Sequence, residues 1–209
     1  MNRKQKPVIL TDIDGVAVKW QSGLPFFLAK HNMPTDVALA CIVDEQFRSM
    51  KEIFGCNESL AKLMMEEYNN SSYIRYLSAY DDALIHINEL KRDFDFVAIT
   101  ALGTEPGASL NRIANLNTLF PGAFTEVAVV NHGESKTDLF KEVQKQYGDR
   151  LVCFIDDLAI NLDHCHAVMP DLQLFHVKRG PREDSKCPSS TVRGFGDIIG
   201  WLNLHWKTK

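Results

Sequence analysis

Val8-Ile9-Leu10-Thr11-Asp12-Ile13-Asp14-Gly15-Val16 is the stretch on which the fold turns. A short apolar run breaks off at two acidic residues and a glycine. Such a run reads as a buried strand that delivers polar side chains at its carboxyl end. The pattern returns further along the chain. Phe94 to Ile99 is a second buried strand, ending at Thr100, and Phe124 to Val130 is a third. Leu151 to Ile155 is a fourth, ending at Asp156-Asp157, and Leu172 to Val177 is a fifth. Helical periodicity lies between them. One helix opens at Asp81-Asp82, one runs from Leu110 to Leu119, one is capped by Ser135 with Asp138 three residues on, and one spans Ile198 to Trp206. The segment KRGPREDSKCPSS, residues 178–190, reads as loop. Helix alternating with strand predicts an α/β fold, a doubly wound parallel sheet with helices on both faces.

Residues 20–78 break this rhythm. LPFFLAKH, EQFRSMKEIF and ESLAKLMMEEY carry apolar positions at three- and four-residue spacing, and no strand pattern interrupts them. Asn57 or Ser59 starts the third of these helices. The segment is too long for an ordinary crossover. It reads as a small helical cap, residues 20–78, inserted into a core made of residues 1–19 and 79–209.

Composition narrows the function classes. The chain has 209 residues, 24% of them charged, and a formal net charge of -4. No basic excess marks it for nucleic acid. Its five cysteines form no Cys-x-x-Cys pair, so reduced thiols and a cytoplasmic setting are expected rather than a disulfide scaffold or a zinc site. His164-Cys165-His166 point in different directions on a helix and make a poor metal cluster. No run reaches the roughly 18 apolar residues of a membrane span.

In a doubly wound sheet, ligands bind beyond the carboxyl ends of the strands. Asp12, Asp14, Thr100, Asp156 and Asp157 all fall there, and Lys136 starts a helix on the same rim. Carboxylates gathered in a low dielectric repel one another and need a cation. An all-oxygen donor set favours Mg²⁺. Thr100 and Lys136 offer a hydroxyl and an ammonium to a phosphate, and the backbone amides after Asp12 offer more donors. Phosphoryl transfer needs mainly positioning and charge neutralisation, which this set supplies.

TDIDGVAV, VAIT, the lysine of GESK and FIDD resemble, in order, the four motifs of the haloacid dehalogenase (HAD) superfamily. The resemblance implies a Rossmann-like core and a magnesium-dependent phosphatase. Asp12 would be the nucleophile and Asp14 the general acid and base. Asp12, the backbone carbonyl of Asp14, and Asp156 would hold Mg²⁺. Asp157 would orient Lys136 or a metal-bound water, although helix capping is an equal reading of it. Thr100, Ala101 and Lys136 would bind phosphate. Asn161 would support the acidic loop or face solvent.

DIDGVAVKWQSGL is further similar to 5'(3')-deoxyribonucleotidases, in which an aromatic shortly after the second Asp stacks on the base. Trp20 stands at that position, where it serves either stacking or cap-to-core packing. Two features depart from those enzymes. Ala101 replaces a hydroxyl residue, and a full helix, LFKEVQKQY, lies between Lys136 and Asp156. The expected partner is thus a small phosphorylated molecule, a (deoxy)nucleoside monophosphate or another phosphomonoester such as a sugar phosphate or a polynucleotide 3'-end. A non-catalytic HAD-like binding module is the reading from another class. It leaves the intact acidic set and Lys136 without a purpose. A response regulator would carry its acceptor Asp on the third strand.

Overall fold

A computed structural model of the chain describes residues 5–44 and 48–206. Its centre is a six-stranded sheet: β1 (Val8–Thr11), β2 (Asp95–Thr100), β3 (Phe124–Val129), β4 (Leu151–Asp156), β5 (Gln173–Val177) and β6 (Ser190–Val192). The order is β3-β2-β1-β4-β5-β6 and every pairing is parallel. The α/β doubly wound architecture is therefore as the sequence predicts. Three-residue β6 is the addition. Its three residues include two exposed ones, so it lacks the apolar run that marks a buried strand, and its first residue falls in the stretch read as loop.

Strand residues divide by parity between two cores. Ile9, Phe96, Ala98, Cys153 and Ile155 face one side, with Ala83, Ile87, Ala108, Leu116, Phe195 and Ile198 over them. These come from α5 (Asp81–Leu90), α6 (Pro106–Leu119) and α9 (Phe195–His205). Val8, Leu10, Val97, Ile99 and Phe154 face the other side, under Phe140 and Val143 of α7 (Thr137–Tyr147) and Leu162 and Cys165 of α8 (Ala159–Val168). All four residues of β1 are buried because both faces are covered, which is why its sequence is a run rather than an alternation.

The insertion between β1 and α5 is helical, as expected. It holds a 3₁₀ turn (Trp20–Gly23), α1 (Leu24–Lys30), α2 (Asp36–Asp44), α3 (Met50–Phe54), α4 (Glu58–Asn70) and a second 3₁₀ turn (Ser72–Tyr76). Of the helix expected over EQFRSMKEIF, residues 45–47 lie outside the described ones, and the described helix begins only at Met50. Ser49 stops it there by a capping box: its hydroxyl accepts from the Glu52 amide, and the Glu52 carboxylate accepts from the Ser49 amide. Asn57 caps α4 through the Leu60 amide. The outgoing and returning connections run side by side, with Lys19 N–H donating to Ser78 and Tyr80 N–H to Ala17.

The Ser135 capping box is corrected. Lys136 is the N-cap residue of α7, without a side-chain cap. The Ser135 hydroxyl accepts from the Thr137 amide two residues on, while Asp138 pairs outward with Lys141. Helix geometry puts Lys136 at the entry so that its long side chain can turn into the molecule.

Candidate active site

The topological switch point lies at β1, where the chain winds first toward β2 and β3 and then toward β4, β5 and β6. Asp12 sits just past β1, its amide still bonded to the Ile155 carbonyl of β4. Asp156 ends β4 and Asp157 follows it. Carboxylate oxygens of Asp12, Asp156 and Asp157 lie within 4.8 Å of one another, and all three residues are buried. No other cluster of this kind occurs among the described residues. In particular, Cys165 is buried in the core rather than shared with its histidine neighbours.

Lys136 enters this cluster from α7. Its ammonium donates to Oδ1 of Asp12 at 2.5 Å and to Oδ2 of Asp156 at 2.9 Å, and the residue is 1% exposed. Burial pushes the Asp12 carboxyl well above the usual carboxylate range; Lys136 opposes this, while Asp156, Asp157 and Asp14 add to it. The Lys136 ammonium is itself raised: burial disfavours its charge, and the two carboxylates outweigh that. Burial, with Asp156, pushes Asp157 up to about 6, even with the Arg182 guanidinium on its Oδ2 at 2.6 and 2.9 Å. The group is short of positive charge.

Asp156 has few free lone pairs. Beyond Lys136 it accepts from the Leu158 amide and from the Asn161 side chain, which reaches both of its oxygens. Asn161 thus supports the acidic loop. Asp157 is held through its main chain by His176, whose Nε2 lies 3.1 Å from the Asp157 carbonyl. That nitrogen carries the ring proton, because a carbonyl only accepts. Gly15 is required where it stands. Its φ is +81°, and a Cβ there would lie 2.6 Å from Oδ2 of Asp157.

Above the cluster opens a cleft of about 500 Å³. Asp12, Asp14, Thr100, Ala101, Lys136 and Asp157 lie on its floor side, and Trp20, Arg48, Met50, Met65 and Asn69 line it from the insertion. The Thr100 hydroxyl is buried and makes no hydrogen bond, an unspent donor at the carboxyl end of β2. Trp20 is 5% exposed. Its ring meets Tyr68 edge to face at 5.0 Å, and its Nε1 donates to Oδ1 of Asn69 at 2.8 Å. Most of the indole therefore packs inside the insertion, and the remainder forms cleft wall.

Asp14 faces the cleft but stands outside the three-carboxylate cluster. Both of its oxygens accept from Nη2 of Arg112 on α6, at 2.5 and 2.7 Å. Arg112 and Arg182 are the polar partners that sequence reading missed. The signal for Arg112 was a polar stripe, Asn111, Arg112 and Asn115, on a helix that otherwise buries Ala108 and Leu116. Arg182 lies in a loop and carried no signal.

The chain is 47% identical over 193 residues to the uncharacterized 32.4 kDa protein of the Gp30-rIII intergenic region of Enterobacteria phage T4, a match covering 92% of this chain and 68% of that protein. No protein-family model matches it. Among solved structures, the Bacillus subtilis protein YfnB, named a HAD-hydrolase and solved with magnesium, superposes with a TM-score of 0.63 at 15% identity over 96% of this chain and all (100%) of that one. A haloacid dehalogenase-like family hydrolase of Streptococcus pneumoniae gives 0.60 at 12% identity over 94% and 98%. The L-2-haloacid dehalogenase of Xanthobacter autotrophicus gives 0.62 at 14% over 95% and 99%. At such identities the likeness establishes the fold, which is that of the HAD hydrolases.

Proposed function

We propose that this chain, which belongs to the same family as the 32.4 kDa phage T4 protein, is a magnesium-dependent phosphomonoester hydrolase with Asp12 as its nucleophile. The observation that carries the reading is the buried ion network of Asp12, Asp156, Asp157 and Lys136 at the switch point of a HAD fold.

The donors suit a hard divalent ion. Three buried carboxylates within 4.8 Å offer an all-oxygen set, and the raised proton affinities of Asp12 and Asp157 mark a deficit of positive charge. Asp12 and Asp156 would hold the ion, with the Asp14 carbonyl, and the geometry favours adding Asp157 to that set. When bound, Mg²⁺ would neutralise charge on the phosphoryl oxygens.

This chain's own groups divide the remaining work. Thr100, Lys136 and the backbone at Ala101 would bind the phosphate oxygens. An Asp12 oxygen would attack phosphorus as the ester P–O bond breaks, and Asp14 would give its proton to the leaving oxygen. The products of this half are an alcohol and an aspartyl-phosphate. Water would then attack phosphorus while Asp14 takes its proton, which releases phosphate and restores Asp12.

The finer reading is a (deoxy)nucleoside monophosphate. The cleft volume lies in the range of small-molecule sites, and Trp20, Met50 and Met65 give it an apolar wall suited to a base. A phosphomonoester panel with Mg²⁺, covering deoxynucleotides, ribonucleotides and sugar phosphates, tests both levels. Turnover of nucleotides well above the rest is expected. No turnover of any member would sink the enzyme reading.

A further inference from the structure

Arg112 is the largest fully buried side chain of the described residues, and it lies outside the acidic cluster. A guanidinium is always charged and loses its hydration when buried, so it persists there only with a strong partner. That partner is Asp14, whose two oxygens straddle Nη2 at 2.5 and 2.7 Å. The pair is asymmetric. Arg112 is 0% exposed at its side chain, whereas Asp14 keeps 22% and lines the cleft. The arginine thus holds the carboxylate from behind and leaves its front to the ligand space.

Arg112 is in turn fixed. Nη1 donates to Oδ1 of Asn115 at 3.3 Å, and Asn115 donates to the carbonyls of Leu77 and Arg75 at 2.9 and 3.3 Å. One turn earlier, Asn111 accepts from Nε of Arg75 and donates to the Ser71 carbonyl. A single face of α6 therefore grips the returning connection of the insertion and the Asp14 carboxylate together.

We propose that Arg112 is the positioning residue for Asp14, setting the carboxylate where it exchanges a proton with the leaving oxygen and then with water. This rests on the functional reading above, in which Asp14 is the general acid and base. Without the brace, the side chain rotates among staggered positions, and few of these face the ester oxygen.

Proton donation matters most when the leaving alkoxide is strongly basic, and least for p-nitrophenolate, which leaves unaided. The test compares kcat/KM for benzyl phosphate and p-nitrophenyl phosphate, with Mg²⁺, in the wild type, Asp14→Asn, Arg112→Lys and Arg112→Met, because kcat/KM reports only the half-reaction in which the ester bond breaks. Lysine keeps the buried charge but cannot brace Asp14 and Asn115 at once, so it serves if the methionine variant fails to fold. Arg112→Lys is expected to raise the p-nitrophenyl to benzyl ratio of kcat/KM by about tenfold or more, in the direction of Asp14→Asn; the hydrolysis of the aspartyl-phosphate is common to both esters and drops out of this ratio. An Arg112→Lys protein that slows both esters equally, while Asp14→Asn discriminates, overturns the positioning role and leaves Asp14 its function. Failure of Asp14→Asn to discriminate overturns the acid–base reading and the inference that depends on it.

Discussion

Lys136 and Asp12 meet at 2.5 Å on the buried floor of the cleft, although 124 residues separate them in the chain. The ammonium also holds Asp156, so one cation serves two buried carboxylates. Replacing Lys136 by Met strands them. Breaking a buried pair from one side costs roughly 3–5 kcal/mol. The Lys136→Met protein should melt well below wild type, and added Mg²⁺ should recover part of the loss. Differential scanning fluorimetry with and without Mg²⁺ reads this; a variant that melts with the wild type would show that the pair is not worth what its burial implies.

Asp12→Asn should abolish turnover and leave the fold intact. The amide is nearly isosteric but a poor nucleophile, and it removes one member of a crowded acidic group. Substantial hydrolysis by the folded variant would end the aspartyl-phosphate mechanism.

Activity should need Mg²⁺, stop with EDTA, and recover poorly with Ca²⁺, whose longer bonds and higher coordination number fit this compact cluster badly. Binding can be followed without substrate. Mg²⁺ should raise the melting temperature of the wild type, because a ligand of the native state alone stabilises it. The rise should shrink in Asp157→Asn. Full activity in metal-free buffer is the contrary result.

Trp20→Ala should lower kcat/KM for deoxynucleoside monophosphates by about ten- to a hundredfold if the indole contacts the base. p-Nitrophenyl phosphate should suffer much less. Because the ring also packs on Tyr68 and bonds Asn69, the melting temperature will fall as well. The ratio between substrates, not the loss itself, is therefore the measurement. Equal losses would reduce Trp20 to packing.

Asp82 ties α5 to the start of α9. Its carboxylate accepts from the Phe195 amide and from Arg179, both at 2.8 Å, and the Arg179 guanidinium lies 3.9 Å from the Tyr80 ring centre. A Cβ at Gly194 would fall 2.1 Å from Oδ2 of Asp82. Asp82→Asn and Gly194→Ala should each lower the melting temperature at neutral pH by roughly 2–4 °C per kcal/mol of lost capping. Their effects should not add, since both break one contact. Burial pushes the Asp82 carboxyl up, but Arg179 and the Phe195 amide outweigh it and hold the group below its usual range. A depressed carboxyl stabilises above its unfolded pKa of about 3.9, and that contribution is lost as pH falls through the lower folded value. The gap between wild type and Asp82→Asn should close on acidification. A gap that persists at low pH contradicts the assignment.

The sequence by itself determined the sheet and most of its rim. Runs such as Val8–Leu10 must be buried on both faces, and side-chain parity leaves little freedom in how they pair. Asp12, Thr100 and Asp156 were legible because each follows directly from a strand that local pattern already identifies. Tertiary structure alone decided what holds them. Arg112 reaches Asp14 across 98 residues and Arg182 reaches Asp157 from a loop, and no local periodicity encodes either approach. It also decided that Asp157 lies within 4.8 Å of Asp12 and Asp156, and that Trp20 spends its N–H on Asn69. Hydrophobic periodicity is a property of neighbours along the chain. Compensation of a buried charge is a property of neighbours in space, and only the folded molecule brings those together.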